Sequence, residues 1–123
     1  MAHGSIEWVE IPAKDLQASP QFYEAVFGWK INRESGWEEY PMFMDAADKL
    51  GGGFVRSEKP AAEGGVILYI TVDEIDAMLP TIEKHGGTRA KGKTLVAESV
   101  GWWASFRDPA GNVIGLYQKV PRA

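Results

Sequence analysis

The sequence contains no cysteine and only two histidines among its 123 residues. The lack of cysteine excludes disulfides, thiolate nucleophiles and cysteine-based metal sites, and it is typical of a reducing compartment. No apolar run approaches the length of a membrane-spanning helix. Met1–Gly4 leads directly into a strand pattern, so we expect no signal peptide. We therefore expect a cytoplasmic protein without a membrane partner.

Long blocks of like charge are also missing. The chain has 13 basic and 17 acidic side chains, a net charge of −4, and no run of five like charges. A nucleic-acid partner is therefore not expected. The apolar fraction of 45% is ordinary for a globular protein, and the length suits one domain, residues 1–123, with a real core.

The first half of the chain has the pattern strand, helix, then three strands. Ser5–Ala13 alternates and is rich in β-forming residues. We expect Ser19 to cap the following helix with Pro20 at its first position, and Gly28 to end it. The segments "WKINRE", "WEEYPMFMD" and "LGGGFVR" are predicted strands, and the glycine run in the last of them suggests a bulged or tightly curved strand.

The second half repeats this order. The segment "GGVILYITV" is a predicted strand, and "DEIDAMLPTIEKHGG" is a predicted helix that ends at Gly86-Gly87. Pro80 lies inside the helical pattern, so the main helix either begins near it or kinks there. Three further strands follow. When the two halves are compared at one constant residue offset, Ile11 aligns with Ile70 and Gly28 aligns with Gly87. The predicted fold class is α+β, with two tandem βαβββ modules at about 5–60 and 64–120.

Two segments resemble a known family. "EIPAKDLQASPQFYEAVFGW" and the closing "FRDPAGNVIGLYQ" resemble the first strand and helix and the final hairpin of the glyoxalase/bleomycin-resistance/dioxygenase superfamily, also called vicinal oxygen chelate proteins. "GGGF" is typical of a branch of predicted enzymes related to lactoylglutathione lyase. The resemblance implies curved mixed sheets around a shared cavity, and frequent homodimers. It leaves function open, because this fold hosts lyases, epimerases, dioxygenases and drug binders.

The resemblance also implies where a metal would be held. Metal-dependent members use four inward-facing His, Gln or Glu side chains, on the first and last strand of each module. These positions fall on Trp8, Ile67, Gly115 and, with less certain alignment, Gly53. None of these four residues has a side chain that coordinates a metal cation. We therefore expect no metal and no other cofactor.

The same positions predict a binding cavity instead. Alternation places Trp8 and Glu10 on one face of the first strand, and Ile67 and Tyr69 on the matching face of the second module. Glycines at 53 and 115 would leave room for an aromatic ring or a ligand. Glu10 is the candidate general acid or base, or the partner of a cationic ligand. A solvated strand-end glutamate is the alternative.

Three functions are compatible with these residues, which leave open whether the protein is an enzyme. The leading hypothesis is metal-free binding of a small apolar or aromatic molecule. The second is a lyase or isomerase related to lactoylglutathione lyase, with a relocated metal or with acid–base catalysis by Glu10. The third is a structural homodimer whose cavity is filled by Trp8.

Overall fold

A computed structural model describes residues 3–62 and 64–121 of the chain. The chain divides into two compact units at the Lys59–Pro60 bond. Each unit has the predicted order βαβββ, so the α+β fold class is confirmed. The elements are β1 (Trp8–Ala13), α1 (Ala18–Phe27), β2 (Lys30–Ile31), β3 (Met42–Met44) and β4 (Gly51–Arg56), then β5 (Tyr69–Thr71), α2 (Ile75–Lys84), β6 (Thr88–Ala97), β7 (Gly101–Arg107) and β8 (Val113–Lys119).

Both units build the same mixed four-stranded sheet. The strand order is β1-β4-β3-β2 in the first unit and β5-β8-β7-β6 in the second. The first strand of each unit pairs in parallel with the last, and the other neighbours are antiparallel. Glu10 is paired with Gly53, and Tyr69 is paired with Gly115. The register therefore makes Gly53 and Gly115 equivalent positions of the two modules.

Helix α1 begins earlier than predicted. Its backbone is helical from Ala18, and Ser19 is buried within it. Asp15 supplies the cap, because its Oδ1 accepts hydrogen bonds from the backbone N–H groups of Gln17 at 2.8 Å and Ala18 at 3.1 Å. The prediction that Ser19 caps the helix is thus wrong. The predicted stop is confirmed: Gly28 has a left-handed backbone, φ 71°, and donates to Glu24 O.

Helix α2 is continuous through Pro80. Met78 N already donates to Glu74 O at 3.1 Å, so the helix does not begin near the proline. The left-handed residue after this helix is Gly86, φ 104°, while Gly87 N donates to Ile82 O at 2.9 Å. The structural counterpart of Gly28 is therefore Gly86, one residue before the position given by the sequence offset.

The two cores differ in character. In the first unit Tyr23, Trp29 and Phe43 form a continuous stack, with 4.5 Å between the centroids of successive rings. In the second unit α2 instead buries aliphatic side chains, Ile75, Leu79 and Ile82. Large aromatic rings contribute more buried area per residue than aliphatic chains. The first sheet is thus held to its helix chiefly by aromatic packing.

The closing hairpin has the predicted turn, stabilised by two buried side chains. Asp108 Oδ1 accepts from the backbone of Ala110 and Asn112 at 3.0 and 2.9 Å. The Asn112 side chain donates to Asp108 Oδ2 at 2.8 Å and accepts from Ala61 N at 2.8 Å. The segment after Lys59 is thereby attached to the start of β8.

No helix among the described residues is long and apolar enough to cross a membrane.

Replacing Asp15 by Ala should lower the midpoint of thermal unfolding at neutral pH. The hydrogen bonds from Gln17 and then Ala18, with a smaller contribution from Arg56, hold the pKa of Asp15 below its usual value. Such a carboxylate stabilises the fold above its unfolded pKa of about 3.9, and this contribution is lost as the pH falls through the lower folded pKa. The wild-type advantage should therefore shrink on acidification.

The matched variant Asp15→Asn keeps an acceptor oxygen but cannot ionise. It should retain part of the cap and lose the acid dependence, as followed by circular dichroism melts across the pH series. A difference between wild type and Asp15→Asn that is constant down to about pH 2 would contradict this account.

Candidate functional site

The face of the first sheet opposite α1 carries exposed aromatic and acidic side chains. Along β1, Val9, Ile11 and Ala13 are directed to the core, while Trp8 and Glu10 are exposed on the other face. We call this surface the open face; its residues are Trp8, Glu10, Tyr40, Met42, Met44, Gly51 and Gly53. The Trp8 side chain is 47% exposed, which is unusual for an indole in a strand.

Three of these side chains are joined by hydrogen bonds. Trp8 Nε1 donates to the Tyr40 hydroxyl at 2.9 Å, and that hydroxyl donates to Glu10 Oε2 at 2.8 Å. We call Trp8, Tyr40 and Glu10 the aromatic–carboxylate cluster. Because an indole N–H can only donate and a carboxylate can only accept, the phenol between them has its donor and acceptor roles assigned. The hydrogen bonds of the cluster therefore all run in one direction, from Trp8 through Tyr40 to Glu10, which only accepts.

Tyr40 remains a protonated donor at neutral pH. Desolvation by burial is the largest cause that raises its pKa above the ordinary value. The hydrogen bond from Trp8 lowers this pKa, whereas the bond to Glu10 and the negative charge of Glu10 raise it. Sequence reasoning missed the role of Tyr40 because it assigned this residue to a predicted strand, "WEEYPMFMD". That prediction was too long: β3 is limited to Met42–Met44, and Tyr40 lies in the connection before it.

Glycines 51–53 of β4 make room for aromatic rings. A Cβ on Gly53 would lie 2.5 Å from the Tyr40 hydroxyl oxygen, and one on Gly52 would lie 2.7 Å from Cε2 of Phe43. A Cβ on Gly51 would meet the Trp8 ring at 3.4 Å. The strand pairs regularly with β1 and β3, so it contains no bulge, whereas the alternative of a tightly curved strand stays a prediction. Close ring packing thus requires glycine at Gly53 and contributes at Gly52, where the backbone carbonyl oxygen of Val9 also lies too close for a Cβ.

The second unit uses the same arrangement at Gly115. The Tyr69 ring covers this glycine, and an added Cβ would lie 2.9 Å from Tyr69 Cγ and closer still to two other ring carbons. Ile67 lies before β5, because that strand is limited to Tyr69–Thr71 and the predicted strand was too long. The first unit thus brings together Trp8, Glu10 and Gly53, and the second unit brings together Tyr69 and Gly115.

A cleft of about 670 Å³ lies elsewhere on the first unit. It is lined by the β1–α1 connection, the start of α1, the β2–β3 connection and the end of β4. Some of its charged groups are engaged within the chain: Asp15 caps α1, and Arg56 forms an ion pair with Glu39 at 3.3 Å. None of the predicted site residues lines it. We therefore place the candidate site on the open face and not in this cleft.

Comparison with known proteins identifies the family. The profile of the Glyoxalase/Bleomycin resistance protein/Dioxygenase superfamily matches residues 5–116. The chain belongs to this superfamily.

A glyoxylase-like domain-containing protein of Didymella fabae is 28% identical over 115 residues, which cover 89% of this chain and 90% of that protein. The anthracycline biosynthesis protein DnrV of Streptomyces peucetius is 26% identical, over 96% of this chain but only 48% of its own length. The crystal structure of a superfamily enzyme from Burkholderia phytofirmans has a TM-score of 0.75 at 22% identity, covering 93% of this chain and 98% of that one.

The four positions that the resemblance assigns to metal ligands carry no side chain that would coordinate a metal cation. Trp8 and Ile67 have no ligating atom for a hard or borderline cation, and Tyr rings cover the two glycines. Among residues 3–62 and 64–121 no group of three or more His, Cys, Asp or Glu side chains could hold a metal ion. Whether the protein functions without a metal stays a prediction, and so does the cavity between the modules.

Replacing Gly115 by Ala should lower the free energy of unfolding by about 1–3 kcal/mol, because the added methyl would overlap the Tyr69 ring. The matched control is Gly92→Ala in β6, where a Cβ meets no heavy atom within 4 Å. It should change stability by no more than about 0.5 kcal/mol. Urea unfolding of both variants measures the difference.

The double variant Tyr69→Ala/Gly115→Ala tests the cause. If the ring is responsible, the cost of Gly115→Ala should fall once Tyr69 is truncated, giving a coupling energy of at least about 0.5 kcal/mol. Additive effects of the two substitutions would mean that Gly115 is required for another reason.

Proposed function

We propose that this protein binds a small apolar or aromatic molecule on the open face of its first sheet. The observation that supports this is the aromatic–carboxylate cluster, in which a hydrogen-bonded carboxylate adjoins a largely exposed indole. Small-molecule sites are lined mainly by apolar and aromatic groups together with a few fixed polar groups. The glyoxylase-like and anthracycline-biosynthesis names of two relatives are compatible with small-molecule chemistry.

Binding should depend on Trp8 and not on exposed tryptophan in general. Trp37 is the matched control, since it is 45% exposed but lies in the cleft away from the open face. In a screen of neutral aromatic compounds by tryptophan fluorescence and calorimetry, Trp8→Leu should weaken binding about tenfold, which corresponds to about 1.4 kcal/mol. Trp37→Leu should leave the dissociation constant unchanged. Equal losses in both variants would argue against the open face as the site.

Metal removal should not change binding or stability. We expect elemental mass spectrometry of protein purified without a metal-affinity tag to find no stoichiometric ion. The melting midpoint should not respond to chelator or to Ni²⁺, Zn²⁺ or Mn²⁺, because a tightly bound ligand of the folded state would raise it by mass action. One ion per chain, with a midpoint that falls on chelation, would overturn the metal-free proposal.

A second candidate function is a lyase or isomerase in which Glu10 acts as general acid or base. It is favoured by the hydrogen bond from Tyr40, which orients one carboxylate oxygen and leaves the exposed Glu10 within reach of a ligand. Formation or consumption of lactoylglutathione, lost in Glu10→Gln, would support this alternative over binding alone.

We also propose that the chain is a cytoplasmic homodimer. The Tyr69 ring, which is 55% exposed, is a large apolar group that a second copy would cover, and the cysteine-free sequence suits a reducing compartment. Sedimentation equilibrium should give twice the 13.5 kDa mass of the chain. A filled interface without any ligand binding would favour the purely structural alternative.

A further inference from the structure

We propose that the aromatic–carboxylate cluster selects ligands that carry an ammonium group, so that the small molecule bound by this protein is a cationic amine with an apolar or aromatic body. This inference rests on the proposed binding function and specifies its ligand class. It follows from the polarity of the cluster and from a comparison within the chain.

The hydrogen-bond donors of the cluster are used within the cluster itself. The indole N–H of Trp8 is taken by Tyr40, and the phenolic O–H of Tyr40 is taken by Glu10. Neither group is left to donate to a ligand. What the cluster offers is an acceptor, the exposed carboxylate of Glu10, and the π face of Trp8. A ligand anion would meet negative charge and no donor, whereas an ammonium group would meet an opposite charge.

Glu10 has no cationic partner in the part of the chain that the structure describes. The ion pairs of the first unit join Lys30 to Asp48, Arg33 to Glu24, and Arg56 to Glu39. Each of the three cations is thus paired with a carboxylate other than Glu10. An arriving ammonium group would therefore not have to displace a lysine or arginine from Glu10.

In the second unit, an ammonium group of the chain itself contacts both an indole ring and a carboxylate. Lys93 Nζ lies 4.5 Å from the centroid of the Trp102 ring and 4.0 Å from Asp76 Oδ2. There an ammonium group sits between an indole and a carboxylate, a geometry in which the cation–π attraction and the ion pair act together. On the open face the indole and the carboxylate are present, and the ammonium would come from the ligand.

An apolar wall adjoins the indole. Both the Trp8 ring and the Met44 Cε atom border Gly51, at 3.4 and 3.5 Å from the position of an added Cβ, and Met44 is exposed. Thioether and indole groups are favourable contacts for an aromatic or methylated ligand body. The net charge of −4 also favours the approach of cations over anions.

The test uses three probes of similar size: benzylammonium, benzyl alcohol and benzoate. Their affinities for the full chain are measured by isothermal titration calorimetry and by quenching of tryptophan fluorescence. We expect benzylammonium to bind at least about tenfold more tightly than benzyl alcohol, benzoate to bind most weakly, and the preference to decrease with added salt.

Glu10→Gln should bring benzylammonium to the affinity of benzyl alcohol. The matched control is Glu7→Gln, which removes the same charge from a neighbouring exposed carboxylate outside the cluster. It should keep the preference, whereas an equal loss in both variants would reduce the effect to net charge and overturn the proposal. If Glu10→Gln does not fold, Trp8→Leu provides the second variant, and it should weaken benzylammonium more than benzoate.

The outcomes separate the two proposals. Equal binding of benzylammonium and benzyl alcohol to wild-type protein would overturn ammonium selection while the small-molecule site stands. Binding of none of the three probes, together with no hit among neutral aromatic compounds, would overturn the proposed function as well.

Discussion

Close packing of aromatic rings against the glycine backbone of β4 is the constraint on which the first unit depends. Successive residues of a strand face opposite sides of the sheet. Gly52 therefore receives the Phe43 ring on the core side, and Gly51 and Gly53 receive Trp8 and Tyr40 on the other side. Phe43 continues into the stack with Trp29 and Tyr23, so the core and the aromatic–carboxylate cluster are held by the same strand. The position of Glu10 is in turn set by Tyr40 and by its pairing with Gly53.

The polar group on the open face is held in a different way from the ligands of a metal site. A metal site needs several donor atoms directed at one point. Here a single carboxylate is oriented by a phenol that is itself bonded to an indole. Such an arrangement can order one charged group without accumulating like charges, and it leaves the carboxylate accessible. Membership of the superfamily accounts for the scaffold, whereas the chemistry of the face follows from its own residues.

The order of elements and the shared face of Trp8 and Glu10 were predictable, because strand alternation, helical periodicity and the Gly28 stop are local signals. The cap of α1 was not, since Asp15 and Ser19 are both good capping residues and only the folded loop shows which of them reaches the free N–H groups. Strand ends were overestimated because a β-forming segment such as Val66–Ile67 extends a strand only where a neighbour pairs with it regularly. The role of Tyr40 was not predictable, because the strand expected around it begins only at Met42 and the fold of the β2–β3 connection determines the direction of its side chain.

The Tyr69 ring over Gly115 has an evolutionary consequence. In the metal-dependent members that the sequence resembles, position 115 would carry a ligating side chain. Any such side chain would now collide with Tyr69, and truncating Tyr69 first would expose an unfilled glycine. The two positions lie far apart in the sequence, so a single mutation cannot change both. A variant that introduced a ligating side chain at position 115 would therefore pass through a less stable intermediate, whichever of the two residues changed first.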